Sequence, residues 1–298
     1  MNGDGQNTRR SRSQRFGLNR SLSPILEPYR DRIAATIKPY LGLTLVPDEN
    51  LTWWSNKFAG VHKSQAGLPY LPKGVEYPQT PQGQYLHLLA QINFAETPSL
   101  PGFPHQGILQ FYVADCELWG CPYPNYTEEY QRTWHEQTTF RIRYFPEIDF
   151  DEAHLVTDFD FLPNKGVENL DHSPQSCSAI QWFPGAAPMP SYDYQFYDTM
   201  FGDRDRRDRS VANRFIQEFL EAYYREIDGE MPDVPIQMGG YSSFAQEDPR
   251  DGLNLEGVAE PLSTVLLKIS MPENVLLFYI EPSALVKRDF SRVMYTFS

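Results

Sequence analysis

The chain has 298 residues, with 39 acidic against 26 basic side chains and a net charge of −13; it is long enough to bury a core without disulfides or metals, and too acidic to offer nucleic acid a basic folded face. No run of about 18 apolar residues occurs, which excludes a membrane-spanning helix, and three cysteines fit a reducing cytoplasm better than a disulfide framework. Twenty-five prolines beside 19 phenylalanines, 18 tyrosines and five tryptophans favour short strands joined by shaped loops over long helices.

Residues 1–22 are rich in Arg, Ser, Asn, Gln and Gly and nearly lack apolar anchors, so they are expected to form a disordered basic arm that cannot offset its own ordering entropy. Five arginines against Asp4 give the first 20 residues a charge of +4 and leave −17 on the remainder. A cytoplasmic protein is expected, because no apolar leader core precedes the body. From Pro24 onward, Leu26, Tyr29, Ile33 and Ile37 recur at helical steps behind a capping Ser23, which predicts a helix near residues 24–38 ended by Pro39. Extended segments are predicted at Leu41–Val46 and Leu51–Trp54.

Four blocks then recur in the same order in both halves of the body, residues 23–298. Gly67–Leu71 is answered by Gly240–Phe244, Leu88–Ile92 by Val265–Ile269, Ile108–Val113 by Val275–Ile280, and Arg141–Tyr144 by Arg292–Tyr295. Two ordered copies predict an internally duplicated fold with halves at about residues 41–145 and 236–298. The connector between them is acidic near residues 147–160, with Phe150, Phe159 and Phe161 interleaved, and then rich in Pro, Ser and Tyr. It leads through the charged run Asp203–Arg209 into a second helix near residues 210–228. There Val211, Phe215, Phe219 and Tyr223 lie one turn apart, Ser210 is the expected cap and Gly229 the expected stop. The predicted class is therefore α+β: mainly antiparallel β-sheets packed together, with two flanking helices.

Catalytic signatures are absent. The sequence contains no Gly-x-Ser-x-Gly elbow, phosphate loop or dinucleotide fingerprint, and His135-Glu136 lacks the second histidine of a zinc-protease helix. Cys116, Cys121, His172 and Cys177 supply soft ligand types, but their spacing is looser than that of structural zinc knuckles, so they are read as ordinary residues and no cofactor is expected. The acids of residues 147–160 lack a calcium loop's spacing and turn glycine. The aromatic loop residues Trp53, Trp54, Tyr70, Tyr77 and Tyr241 suit either inter-sheet packing or recognition. Gln91 and Lys268 hold the same place in the two copies, each inside an apolar strand, where a buried polar group needs partners.

The blocks Lys57-Phe58, Gly67–Gly74, Leu88–Phe94 and Gly107–Tyr112, followed by Ser191–Phe196, Gly239–Tyr241 and Asp289–Tyr295, make residues 24–298 resemble the YwqG-like family, a bacterial domain of unknown function. The resemblance implies an α+β fold with internal duplication and carries over no catalytic residue. The chain departs from the family pattern in an insertion at Val61–Ala66 and a shortened Ser270–Asn274, and Cys116 and Cys121 stand where relatives have acids.

Two functions are consistent with this sequence. The first is a noncatalytic binding protein for a protein or peptide partner, such as a basic toxin captured by an immunity-like acidic body. The alternative is a small-ligand binder or enzyme with its site between the halves, where Tyr70, Gln91, Tyr241, Asp248 and Lys268 are expected to meet.

Overall fold

The computed structural model describes residues 18, 20–60, 64–122, 127–163, 176–202, 212–244, 247–272 and 274–298. Most of the expected basic arm, the 61–63 part of the expected insertion, His172, the Asp203–Arg209 run, Ser210 and Val211 lie outside these residues.

Ten strands are present: β1 Lys38–Pro47, β2 Lys57–Phe58, β3 His87–Asn93, β4 Ile108–Val113, β5 Phe140–Phe145, β6 Ser178–Ala187, β7 Ile236–Gly239, β8 Thr264–Ser270, β9 Val275–Ile280 and β10 Val293–Phe297. The apolar runs Ile-Leu-Gln-Phe-Tyr-Val and Val-Leu-Leu-Phe-Tyr-Ile form β4 and β9, which are buried at every position. Full burial on both faces removes the need for alternation. β5 alternates instead, turning Phe140 and Ile142 into the core and Arg141 and Arg143 away from it.

All ten strands join one sheet in the order β10-β9-β8-β7-β1-β6-β2-β3-β4-β5, and every strand pairing in it is antiparallel. A single curled sheet thus replaces the expected packed sheets. The protein is mostly antiparallel sheet with few helices: α1 Arg30–Ala35, α2 Glu128–Thr133, α3 Phe196–Phe201, α4 Ala212–Glu226 and α5 Pro282–Lys287.

The sheet nearly closes into a barrel, because its two ends face each other across an aromatic core. Phe278 of β9 stacks on Tyr295 of β10 at 4.2 Å, and the pair meets Phe111 of β4 and Phe140 of β5, each at 5.2 Å. No strand pairing joins β5 to β10 among the described residues. Gln137 spans that seam instead, accepting from the Ile142 amide at 2.7 Å and donating to the Phe290 carbonyl at 2.7 Å.

The first helix is shorter than predicted. Pro39 biases Lys38 toward extended backbone, so β1 begins at Lys38 and the helix ends at Ala35 after a 3-10 turn at Glu27–Tyr29. Leu51–Trp54, predicted extended, enters a turn closed by the Ser55 amide on the Thr52 carbonyl. α4 forms as its periodicity predicts and buries Phe219 and Tyr223 against Leu26, Ile33, Phe196 and Met200, while Phe215 stays exposed. Of the connector phenylalanines, Phe159 is buried and Phe150 and Phe161 are exposed.

The sheet's middle is the ten-residue pairing of β1 with β6, from Lys38↔Ala187 to Pro47↔Ser178. Tyr40 faces Gly185 and Gly42 faces Phe183, and each ring lies over the glycine opposite it. A Cβ on Gly42 would fall 2.2 Å from the Phe183 ring, and one on Gly185 would fall 2.3 Å from the Tyr40 ring. Gly42→Ala therefore forces a ring out of its place, and a stability loss of about 1–3 kcal/mol is expected; urea unfolding monitored by circular dichroism measures it.

Candidate functional site

Two buried lysine–glutamine pairs occupy mirrored places in the sheet. In one, Lys57 of β2 is in register with Gln91 of β3; in the other, Gln237 of β7 is in register with Lys268 of β8. The residue types are exchanged between the strands. Each of β3 and β8 also carries a register shift at the corresponding step, between Leu88 and Ala90 and between Val265 and Leu267. Ala90 and Ile92 flank Gln91, and Leu267 and Ile269 flank Lys268; all four point into the central core. The polar side chains therefore project from the opposite face, where loops cover them.

Gln91 is saturated. Its Oε1 accepts from the Tyr70 amide and from Gln110 Nε2, both at 2.8 Å, and its Nε2 donates to the Trp53 carbonyl at 2.8 Å and the Ser55 carbonyl at 3.0 Å. These bonds use the full capacity of an amide side chain. Tyr70 is buried beside it, with its hydroxyl accepting from the Asp149 amide. Trp53 and Trp54 are tied down in the same layer through Glu152 and the Asp149 carbonyl. Lys57 is completely buried and donates to the Leu68 carbonyl at 2.9 Å. Burial lowers its pKa to about 8, with the nearby Cys177 working in the other direction.

The other pair borders a cleft. Lys268, with 2% of its surface exposed, donates to Ser243 Oγ at 2.9 Å, its one hydrogen-bond acceptor among the described residues. An ammonium carries three donors. Lys268 and Gln237 line a cleft of about 190 Å³ together with Tyr192, Asp228, Asp233 and Tyr241. Burial pushes the Lys268 pKa down to about 8, against the opposing charge of Asp233. Burial also raises the Asp228 carboxyl above its ordinary value, although Ser191 donates to it from both its hydroxyl and its amide.

Tyr241 is aimed by its neighbours. Gly239 and Gly240 take φ of +70° and +67°, a left-handed backbone that glycine adopts without the Cβ penalty. The tyrosine leaves this turn with its carbonyl held by Gln237 Nε2 at 2.6 Å and its hydroxyl donating to the Thr36 carbonyl at 2.6 Å. Lys38 Nζ sits 4.5 Å from the centre of its ring, a cation–π contact.

Asp248 belongs to a third, buried group. It accepts from Arg250 Nε at 2.9 Å and Nη2 at 2.7 Å, while Asp193 takes a further Nη2 bond at 3.0 Å. The guanidinium lies between the rings of Tyr194, 4.5 Å away, and Tyr279, 4.4 Å away. Burial works against its charge, but Tyr279 and the two carboxylates more than compensate and hold it above its ordinary value. The five residues singled out from sequence are thus divided among three places: Tyr70 with Gln91, Tyr241 with Lys268, and Asp248 with Arg250. Lys57, Gln237, Asp193 and Arg250 escaped the sequence reading. β2 and β7 are two and four residues long, too short for periodicity to mark their polar positions as buried.

Cys121 and Cys177 are buried and Cys116 is exposed. Among the described residues, no group of three His, Cys, Asp or Glu is arranged to hold a metal, and no helix is long and apolar enough to cross a membrane.

A family described as a domain of unknown function, DUF1963, matches residues 64–298, well over half of the chain, and the protein belongs to that family. No curated protein matches the chain at a significant level.

Lysine burial has a measurable pH signature. Lys268 has a folded-state pKa of about 8 against an ordinary 10.5, so between those values the unfolded chain binds more protons and stability rises with pH. Below pH 8 the lysine is charged in both states and its contribution is constant. Buried tyrosines and cysteines act in the opposite sense at alkaline pH, so the informative quantity is the difference from a variant. Relative to Lys268→Met, wild-type unfolding free energy is expected to gain up to about 1.4 kcal/mol per pH unit between pH 8 and 10, read from urea titrations at several pH values.

The Arg250 group answers to a different test. Removing the cation strands two buried carboxylates, so Arg250→Met is expected to cost about 3–5 kcal/mol, measured by equilibrium unfolding at neutral pH.

Proposed function

We propose that this protein binds a small polar ligand in the cleft above Lys268. The ligand places an acceptor or anionic group toward the lysine and a donor or cationic group toward Asp228 and Asp233, which describes a zwitterion of amino-acid size. The observation that carries this reading is the contrast between the two lysine–glutamine pairs. Each lysine has one acceptor among the described residues, a backbone carbonyl for Lys57 and a hydroxyl for Lys268, but Lys57 is covered by loops whereas Lys268 borders a cleft. At neutral pH a lysine with a pKa near 8 remains mostly charged, so it serves this site as a cationic donor.

Capture of a basic protein partner is the second reading. The net charge of −13 supports it through electrostatic steering, but charge alone names no contact residue, which is why the cleft ranks first. We also assign the chain, more finely, to the YwqG-like proteins, and read its halves as products of an internal duplication in an α+β fold. The mirrored strand order, the matching register shifts and the exchanged lysine–glutamine pairs support that reading.

The test is a thermal-shift panel of the standard amino acids and short ω-amino acids at about 10 mM, where even weak binding to the folded state raises the melting temperature. At least one compound is expected to raise the melting temperature of wild type and leave Lys268→Met unmoved. No shift across the panel, or equal shifts in the variant, would overturn the assignment.

A further inference from the structure

A second, chemically different site lies on the outer side of the end strand β5. The side chains of Arg141 and Arg143 leave β5 on the face opposite the core and enter a cleft of about 550 Å³ between the sheet and the overlying loops. The aromatic rings of Tyr77, Tyr85 and Phe161 flank this cleft and contact one another at centroid distances of 5.2–5.8 Å. Arg141 also lines a second cleft, of about 520 Å³, at the seam of the barrel, together with Arg288 and His135.

These cations lack the counter-charges that an acidic chain would readily supply. None of Arg141, Arg143 and Arg288 forms an ion pair with a carboxylate among the described residues. Among the described residues, Glu76 is the single acid lining the first cleft, where it is exposed, and no acid lines the second.

Arg141 and Arg143 are also short of acceptors, whereas Arg288 donates to the Gly102, Leu285 and Phe103 carbonyls. Arg141 Nη2 donates to the Gln137 carbonyl at 3.0 Å, but Arg141 Nε is buried with no partner, as are Arg143 Nη1 and His135 Nδ1. Six side-chain nitrogen or oxygen atoms are buried and unpartnered among the described residues, and half of them lie on the residues lining these two clefts. Buried donors are normally satisfied, so the Arg141 and Arg143 guanidinium groups stand out as having neither a carboxylate nor a full set of carbonyl acceptors among the described residues. Burial moreover lowers the Arg143 pKa, and the neighbouring Arg141 adds to the effect, while Tyr112, Tyr77 and Glu76 oppose it. The site is therefore one that a bound negative charge relaxes.

We propose that the cleft over Arg141 and Arg143 binds a small organic oxyanion carrying a flat apolar group. The planar guanidinium groups donate to a carboxylate or phosphate, and the ring of the ligand lies against Tyr77, Tyr85 and Phe161. Arg141 joins this pocket to the seam cleft, so that a ligand with a second acidic group reaches Arg288 as well. Among the described residues this site shares no lining residue with the Lys268 cleft, and it does not depend on the reading given there.

Isothermal titration calorimetry of the full chain with phenyl phosphate and with benzoate tests the proposal, with phenol as the neutral control and Arg214→Met, which alters an exposed arginine of α4, as the control for general charge. Wild type and Arg214→Met are expected to bind at least one of the two anions and to prefer it to phenol. Arg143→Met is expected to weaken that binding at least about tenfold, the range of a lost charge-assisted contact. Arg143→Lys, which keeps the charge but loses the fork, should fall between them and serves as the second variant if Arg143→Met does not fold. Binding of neither anion, equal binding of phenol, or affinity unchanged by substitution of Arg143 would overturn the proposal.

Discussion

The long antiparallel ladder between β1 and β6 is the contact on which the rest of this structure depends. These strands lie 131 residues apart, measured from Pro47 to Ser178, yet they pair over ten positions and form the middle of the sheet. β7 attaches to the free edge of β1 and β2 to the free edge of β6, so each half of the sheet is built outward from this pair. Two glycines set opposite two aromatic rings let the ladder pack closely where a side chain on each would collide. Closing so long a loop carries an entropic cost, and the apolar core shared by both halves of the sheet contributes to offsetting it.

Curling the sheet until its ends meet has consequences for where binding can occur. Phe111, Phe140, Phe278 and Tyr295 fill the space between the ends, so the inside of this near-barrel is a packed core. The clefts lie on the outer layers, where loops from the two halves cover the strands. Polar side chains that leave the sheet on that side must meet either loop carbonyls or whatever enters a cleft. Lys57 and Gln91 take the first course, and Lys268 and the β5 arginines border the second.

The Arg250, Lys268 and Arg143 groups differ in how completely the described residues satisfy them. Arg250 is surrounded by two carboxylates, a carbonyl and two rings, an arrangement that holds the loop of residues 247–262 on the sheet and leaves nothing for a ligand to add. Among the described residues, Lys268 has one acceptor, and Arg143 has a buried donor with none. Buried polar groups are costly when incomplete, and Lys57 and Lys268, with one acceptor each among the described residues, differ in that only Lys268 borders a cleft.

Strand identity was determined by the sequence in part: β6 lies in the segment read as a connector yet forms the middle of the sheet, and the short β2 and β7 were not marked as strands. The apolar runs of β4 and β9, the alternation in β5 and the stripe of α4 are set by local periodicity, which survives without tertiary information. The equivalence of Gln91 and Lys268 was legible for the same reason. Their partners were not: Gln237 and Lys57 sit on strands too short to carry a pattern, and only the sheet register brings them into opposition. Proline at position 39 could be read as a helix stop, but the start of a ten-residue strand one residue earlier depended on β6 being there to pair with it. The sequence also could not separate Tyr70 and Gln91 from Tyr241 and Lys268, because periodicity gives the face of a strand and not which loops lie over it. Tertiary structure alone decided which cations were neutralised and which were left beside a cleft, since that depends on distances between residues far apart in the chain.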